Sequence, residues 1–367
     1  MTAFGAIVGD TWRQSKQQVV FFVLAAGLLL VGSISIFAFK VRTTESNEKV
    51  IWIPFGDNKE VGFDLLWDAQ YRDLIHKELG HEKALEEKND QYALAKTRFE
   101  GLARDPKSSQ DDIQKANDDL TEKRNDLKAL QQKQSEEAQE VVDQRAKGLS
   151  RMDKGVEMWM HWSVKWLFTA SMWIFIACCA VYFPGMLSAG AVDVLVSKPV
   201  SRAQLFFGKF AGGLVLYVAL LTIVYLLVWV GVGARTGVWH MRFFAGIPTT
   251  IFSAALLYGI VDLIEVLTRS TTFSIIIGYV FYALIDSFVG LIQNLKNILP
   301  DEGMAGTVKS VSEFANAVLP GFGRLEDSAA ASVMNVPIAE AQPFIVAGVW
   351  LAICLGIAYW RFLKTDF

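Results

Sequence analysis

The run VVFFVLAAGLLLVGSISIFAF, residues 19–39, carries no charge over 21 positions. At about 1.5 Å per residue, a helix of that length reaches roughly 31 Å, the thickness of a bilayer's hydrocarbon core. It reads as a transmembrane helix that stays in place as an anchor. A cleaved signal peptide fits less well, because the run is long for such a segment and no small-x-small site precedes Lys40. Working outward, apolar runs recur over 162–183, 208–232, 244–267, 273–292 and 344–362. Hydrophobic residues make up 52% of the 367 and aromatic residues 12%, with mean hydropathy +0.31, which lies outside the soluble norm. The sequence therefore predicts an all-α integral membrane protein with six transmembrane helices and both termini on one side.

Aromatic residues mark the ends of these runs. Trp159, Trp162 and Trp166 stand at the start of the second and Trp239 before the fourth, at the level where a half-wet ring is favoured. Packing inside a helix bundle accounts for each of them nearly as well. With the N-terminus inside, the short inner segments carry Arg13, Lys16, Lys198, Arg202, Arg269, Arg361 and Lys364. The outer ones carry Arg235, Arg242, Lys296, Lys309 and Arg324, and Lys40 and Arg42 oppose the trend. The balance favours an inside N-terminus. Residues 1–18 place Phe4, Ile7, Val8 and Trp12 near helical spacing, as in a short helix lying in the inner interface.

Charge locates a soluble insertion. Residues 41–160 hold 20 Lys and Arg against 26 Asp and Glu, while the rest of the chain holds 15 against 12. Residues 53–62 read as loop or a short strand. The pattern then turns helical over about 64–104, with Leu65, Tyr71, Leu74 and Ile75 in register and a seven-residue series at Leu85, Tyr92 and Phe99 flanked by Ala95 and Leu102. Asp105-Pro106 breaks it. A second series, Ile113, Leu120 and Leu127 with Ala116 and Leu130, runs through 109–147. Two such arms joined by one turn predict an extracytoplasmic antiparallel coiled-coil hairpin between the first two spans, each arm roughly 60 Å long. The hairpin serves either as a docking site for an outer partner protein or as a spacer or contact between copies.

Several chemistries are excluded. A net charge of −3 gives no basic excess for nucleic acid. Cys178, Cys179 and Cys354 all sit inside apolar runs and read as small buried hydrophobes. His76, Glu78, His81 and Glu82 invite a metal reading, but the histidines are five apart in His-Lys-Glu-Leu-Gly-His, whereas a zincin helix needs them four apart on one face. No metal site is expected. No Gly-x-x-x-x-Gly-Lys-Ser/Thr phosphate loop occurs; Gly208-Lys209-Phe210 lacks both the glycine cradle and the hydroxyl that would hold magnesium. The chain is not expected to be an enzyme.

Intramembrane acids are costly in lipid and so draw attention. Asp262 and Glu265 fall near the inner end of the fourth span, with Arg269 four residues beyond Glu265, as for a local ion pair. Asp286 falls toward the outer half of the fifth span, placed to meet a substrate or a partner helix. An aspartyl protease would need two such acids at one depth, and Asp262 and Asp286 lie toward opposite ends.

Between the second and third spans the chain reads FPGMLSAGAVDVLVSKPVSRAQLFFGKF, residues 183–210. Physically this is a short amphipathic element, a proline-stiffened turn with two cations, and a helix start where Gly208 and Gly212 permit close packing. The segment closely resembles the ABC type-2 permease family, the membrane subunits of ABC exporters, through Gly190, Asp193, Leu195, Ser197, Pro199, Val200, Arg202, Gly208, Lys209 and Phe210. An interfacial N-terminal helix, six spans, a large outer insertion after the first span, Leu319-Pro320-Gly321-Phe322 before the last span and the terminal Arg361-Phe362-Leu363-Lys364-Thr365-Asp366-Phe367 agree with it. The hairpin is not a general feature of that family.

The resemblance implies that the loop 184–207 is cytosolic and couples to an ATPase through Asp193, Ser197, Lys198, Pro199, Val200, Ser201, Arg202 and Lys209. It also implies both termini in the cytosol, a place in the cytoplasmic (inner) membrane, and an outer loop at 293–342. ATP and magnesium would be held by a separate P-loop ATPase subunit, with no cofactor in this chain. A second permease copy, identical or related, would complete the transporter, and lipid would surround it. The expected function is the permease of an ATP-driven exporter. The alternative is a non-transporting complex of the same build, in which the bundle transmits force or scaffolds an outer partner through the hairpin.

Overall fold

The computed structural model describes residues 19–44, 47–55, 59–106, 108–179, 201–298, 310–311, 314–315, 317–336 and 341–364. The chain divides into two compact units, a membrane unit (Met1–Val41, Trp159–Asn335 and Glu340–Phe367) and an inserted unit that is mainly Arg42–Met158. Its first element, helix α1 (Val19–Phe37), is the run that opened the reading. The expected interfacial helix at 1–18 lies outside the described residues.

The inserted unit departs from an all-α fold. A three-stranded sheet of order β1-β2-β3 forms from β1 (Lys40–Thr43), β2 (Lys49–Phe55) and β3 (Lys59–Gly62). β2 and β3 are antiparallel, with Trp52 opposite Gly62 and Phe55 opposite Lys59. The sequence signal was short and interrupted by turn residues, so only part of it read as strand. Helix α2 (Phe63–Glu78) follows directly.

The first arm of the hairpin is not one helix. It stops at Leu79, passes through Gly80 at φ 68° and restarts as α3 (His81–Arg104). Only a glycine enters that left-handed region without strain, so the break is written at the one residue that permits it. Asp105-Pro106 ends α3, and Ser109, whose hydroxyl accepts from the Asp111 N–H at 3.3 Å, caps α4 (Gln110–Ala146). Lys88 pairs with Asp126 at 3.1 Å and Gln134 donates to the His81 carbonyl at 3.4 Å, so α3 and α4 run antiparallel. Ala95 and Ala116 are buried in their seam, whereas Leu85, Tyr92, Phe99, Ile113, Leu120 and Leu127 are only half-buried. Two helices cover each seam residue from one side alone.

At the base of the arms, α2 packs on the first turns of α5 (Arg151–Cys179). Arg151 donates to Asp64 at 2.7 Å and Lys154 to Asp68 at 2.9 Å. Trp67 stacks on Tyr71 at 4.8 Å between centroids. Its indole N–H donates to Glu157 at 3.2 Å, and Arg145 of α4 donates to the other oxygen of that carboxylate at 3.2 Å.

The membrane unit contains α1, the rest of α5, α6 (Arg202–Thr236), a 3-10 turn (Met241–Ala245), α7 (Gly246–Thr268), α8 (Thr271–Ile298), α9 (Phe322–Val333) and α10 (Gln342–Leu363). Among the described residues four helices are long and apolar enough to cross a membrane, namely Arg151–Cys179, Arg202–Thr236, Met241–Thr268 and Gln342–Leu363; Phe22–Phe37 and Thr271–Ile285 are shorter apolar helices. The protein is a helical membrane protein. Many large apolar side chains stay exposed, among them Ile345, Val349, Ile353 and Ile357 in a stripe along α10, as a hydrocarbon-facing surface requires.

Contacts fix the directions. Trp159 donates to the Ser35 carbonyl at 2.8 Å while Gly27 meets Ile174, so α1 and α5 are antiparallel. Tyr225 stacks on Phe243 and Gly213 meets Tyr258, so α6 and α7 are antiparallel as well. Phe252 stacks on Phe344 and Gly259 meets Leu351, so α7 and α10 run parallel. The expected outer loop 293–342 is in part ordered helix: α8 continues to Ile298, and α9 buries Phe322, Leu325, Ala329 and Ala330 against the unit. Lys165 and Thr169 of α5 donate to Asp327 and Glu326 of α9 at 2.6 Å each, and His161 bonds to the Ala330 carbonyl.

Gly213 lets α6 approach α7. A Cβ there would lie 2.7 Å from the Tyr258 hydroxyl and 2.9 Å from the ring, and the ring is fully buried. Gly213→Val is therefore expected to destabilise the membrane unit by about 1–3 kcal/mol, seen as a lower melting temperature in detergent; an unchanged melt would show that the ring can move aside.

Candidate functional site

Of the residues singled out at the loop, Ser201, Arg202 and Lys209 are described, and all three belong to the start of α6. Asp193, Ser197, Lys198, Pro199 and Val200 lie outside the described residues. Ser201 is the N-cap of α6: its hydroxyl accepts from the Gln204 N–H and the Gln204 side chain accepts from the Ser201 N–H, each at 3.2 Å, a complete capping box. The cap fixes the start of α6 at Arg202.

Arg202 reaches across to the last helix. Its Nη1 donates to the carbonyl of Leu363 at 2.8 Å, 161 residues on, where the final carbonyls of α10 lack helical partners. A guanidinium there satisfies an orphan acceptor and complements the negative end of the helix dipole. One turn further, Phe206 packs among Val266 of α7 and Ala358 and Phe362 of α10, all buried, with ring centroids 5.6 Å from both Phe362 and Tyr359. The start of α6 and the ends of α7 and α10 are thereby tied into one block.

Behind this block sit charges in the interior. Lys209 is 2% exposed, and Asp262 and Glu265 are both 0% exposed. The pairing of Gly213 with Tyr258 and of Tyr225 with Gly246 sets the register of α6 on α7, and that register puts Lys209 level with Asp262. None of the four carboxylate oxygens of Asp262 and Glu265 has a hydrogen-bond partner. The expected ion pair between Glu265 and Arg269 is not formed. Arg269 ends α7 in the left-handed region at φ 54° and its side chain is exposed, whereas Glu265 is enclosed, so the even helical geometry that would align residues four apart stops before the second of them. Asp286 belongs to α8, with its side chain outside the described residues.

Two features escaped the sequence reading. Glu157, 1% exposed, anchors the base of the hairpin through Trp67 and Arg145, partners 90 and 12 residues away. His76 and His81 touch, because the break at Gly80 removes the continuous helix on which their spacing was judged. The Gly80 position just before a new helical pattern was the available signal. Among the described residues no group of three or more His, Cys, Asp or Glu gathers in a form that would hold a metal.

No curated protein and no solved structure matches the chain. A family model described as ABC-2 family transporter protein matches residues 107–367, from the second arm of the hairpin through α10. The match spans well over half of the sequence and includes the capped start of α6, Lys209 and the helix ends tied to it. By that extent, and by the helical membrane unit that carries those residues, the chain belongs to the ABC-2 transporter family of membrane permeases.

Proposed function

We propose that this chain is the membrane-spanning permease subunit of an ATP-binding-cassette exporter, with six transmembrane helices and both termini in the cytosol of a cell with the complex in its inner membrane. A separate P-loop ATPase subunit binds ATP and magnesium, and a second permease copy, identical or related, completes the transport path. The coiled-coil hairpin then stands on the outer side, where it docks a partner or passes on the conformational change. ATP-driven closure of the ATPase pair presses on the coupling loop and rocks the two bundles against each other.

The observation that carries this reading is the hydrogen bond from Arg202 to the Leu363 carbonyl together with the Phe206 cluster. A push delivered to residues 184–201 enters α6 at a rigid cap and reaches the ends of α7 and α10 at the same moment. Lys198, Arg202 and Lys209 supply positive charge along that path, and Asp262 and Glu265 lie directly behind it in the interior.

The test is to purify the tagged chain in mild detergent from its own host, identify every co-purifying protein and assay ATP hydrolysis. A stoichiometric P-loop ATPase whose activity rises with the permease present is the expected result. Its absence, with an outer protein bound to the hairpin instead, would overturn the exporter reading in favour of a force-transmitting complex.

A further inference from the structure

The elbow between α2 and α3 brings two imidazoles face to face. On one continuous helix, residues five apart are turned about 140° from each other and their rings cannot meet. Here His76 lies in the last turn of α2, Gly80 reverses the backbone at φ 68°, and His81 opens α3. The two Nδ1 atoms share one hydrogen bond at 2.9 Å, with ring centroids 5.1 Å apart and planes inclined at 56°, and an ion bound there would take the place of the shared proton.

The surroundings hold the two rings in this arrangement. His81 is 7% exposed, and its other nitrogen, Nε2, lies 3.6 Å from the carboxylate of Glu137 on α4. A carboxylate on the far side of the ring is the arrangement that orients metal-bound imidazoles, with the other nitrogen turned toward the ion. Gln134 of α4 also donates to the His81 carbonyl at 3.4 Å and fixes the start of α3. Burial, and then the neighbouring His81, hold His76 below the usual histidine range, against the opposing pull of Asp73 and Glu82.

We propose that His76 and His81 bind one divalent transition-metal ion of the copper or nickel class through their two Nδ1 atoms, cis to each other, with Glu137 orienting His81 from behind. With bonds of roughly 2.0–2.1 Å, nitrogens 2.9 Å apart subtend about 90° at the ion, the angle of tetragonal copper or nickel. Tetrahedral zinc would need them about 3.3 Å apart. No third protein ligand gathers among the described residues, so water fills the remaining positions. This inference is independent of the proposed transport function.

The experiment uses the full chain in detergent, carrying a tag without histidine, stripped with chelator and titrated with copper(II) alone. The expected result is one ion per chain and an electron paramagnetic resonance spectrum showing two imidazole nitrogens. His76→Ala and His81→Ala should each leave a single imidazole and weaken binding at least tenfold. Glu137→Gln should keep both nitrogens and weaken binding about 10- to 100-fold. Lowering the pH from about 7.5 to about 5.5 should release the ion as the rings protonate. His76→Gln, which fills the same half-buried space without the imidazole, should lose the site with helicity and melting unchanged. Binding well below one ion per chain, a spectrum without two imidazoles, or parent-like affinity in the histidine variants would overturn the assignment.

Discussion

Replacing Glu157 by alanine is expected to loosen the base of the hairpin by about 3 kcal/mol, the larger of the stability effects in this protein. The carboxylate is 1% exposed and accepts from the Trp67 indole and from Arg145. Removing it leaves a buried N–H and a guanidinium without their acceptor. Breaking a buried pair from one side costs roughly 3–5 kcal/mol, and the 28% exposure of the Arg145 side chain lets water recover part of that. Trp67 also stacks on Tyr71 and lies under the Lys154 ammonium, 4.8 Å from its ring, so its displacement would disturb the contact between α2 and α5. Glu157→Gln should cost only about 1–2 kcal/mol, because its carbonyl still accepts from Trp67. Limited proteolysis of the inserted unit against temperature would read both. Equal protection of the alanine variant and the parent would show that the base is held by apolar packing alone.

Arg202→Glu is expected to abolish the coupling of ATP hydrolysis to transport, a loss of tenfold or more, while the protein still inserts and folds. The substitution removes the donor to the Leu363 carbonyl and sets an anion against the negative end of α10. For stability the cost is small, about 1 kcal/mol, because Arg202 is exposed and the capping box at Ser201 remains. For function the cost is large if the loop is the point of entry of force, because α6 and α10 would then no longer move as one block. Arg202→Lys, which keeps the charge but not the fork geometry, should fall between the two. The measurement is ATPase activity of the assembled complex with and without the permease. Full stimulation in the glutamate variant would remove Arg202 from the coupling path.

The parts of the candidate site that were legible in the sequence are those encoded locally. The motif from Gly190 to Phe210 could be matched residue by residue, whereas the capping box of Ser201 and Gln204 inside it went unread. Asp262 and Glu265 stood out because charge in an apolar run is rare. The fate of these groups was not legible. A spacing of four suggested an ion pair between Glu265 and Arg269, and a left-handed cap at Arg269 undid it. A spacing of five argued against a metal reading of His76 and His81 on one helix, and a left-handed glycine that ends that helix brought the two rings into contact.

The sequence by itself determined the membrane character of the chain, the apolar helices, the charged insertion and the break at Asp105-Pro106. Each follows from transfer free energy or backbone chemistry summed over a contiguous stretch, so a single chain suffices to read it. Only the tertiary structure decided that Arg202 closes the end of α10, that Lys209 lies level with Asp262, that α9 is buried in the membrane unit and that Glu157 joins Trp67 to Arg145. Those pairings depend on the register between helices far apart in the chain, which close packing fixes and which no local periodicity records.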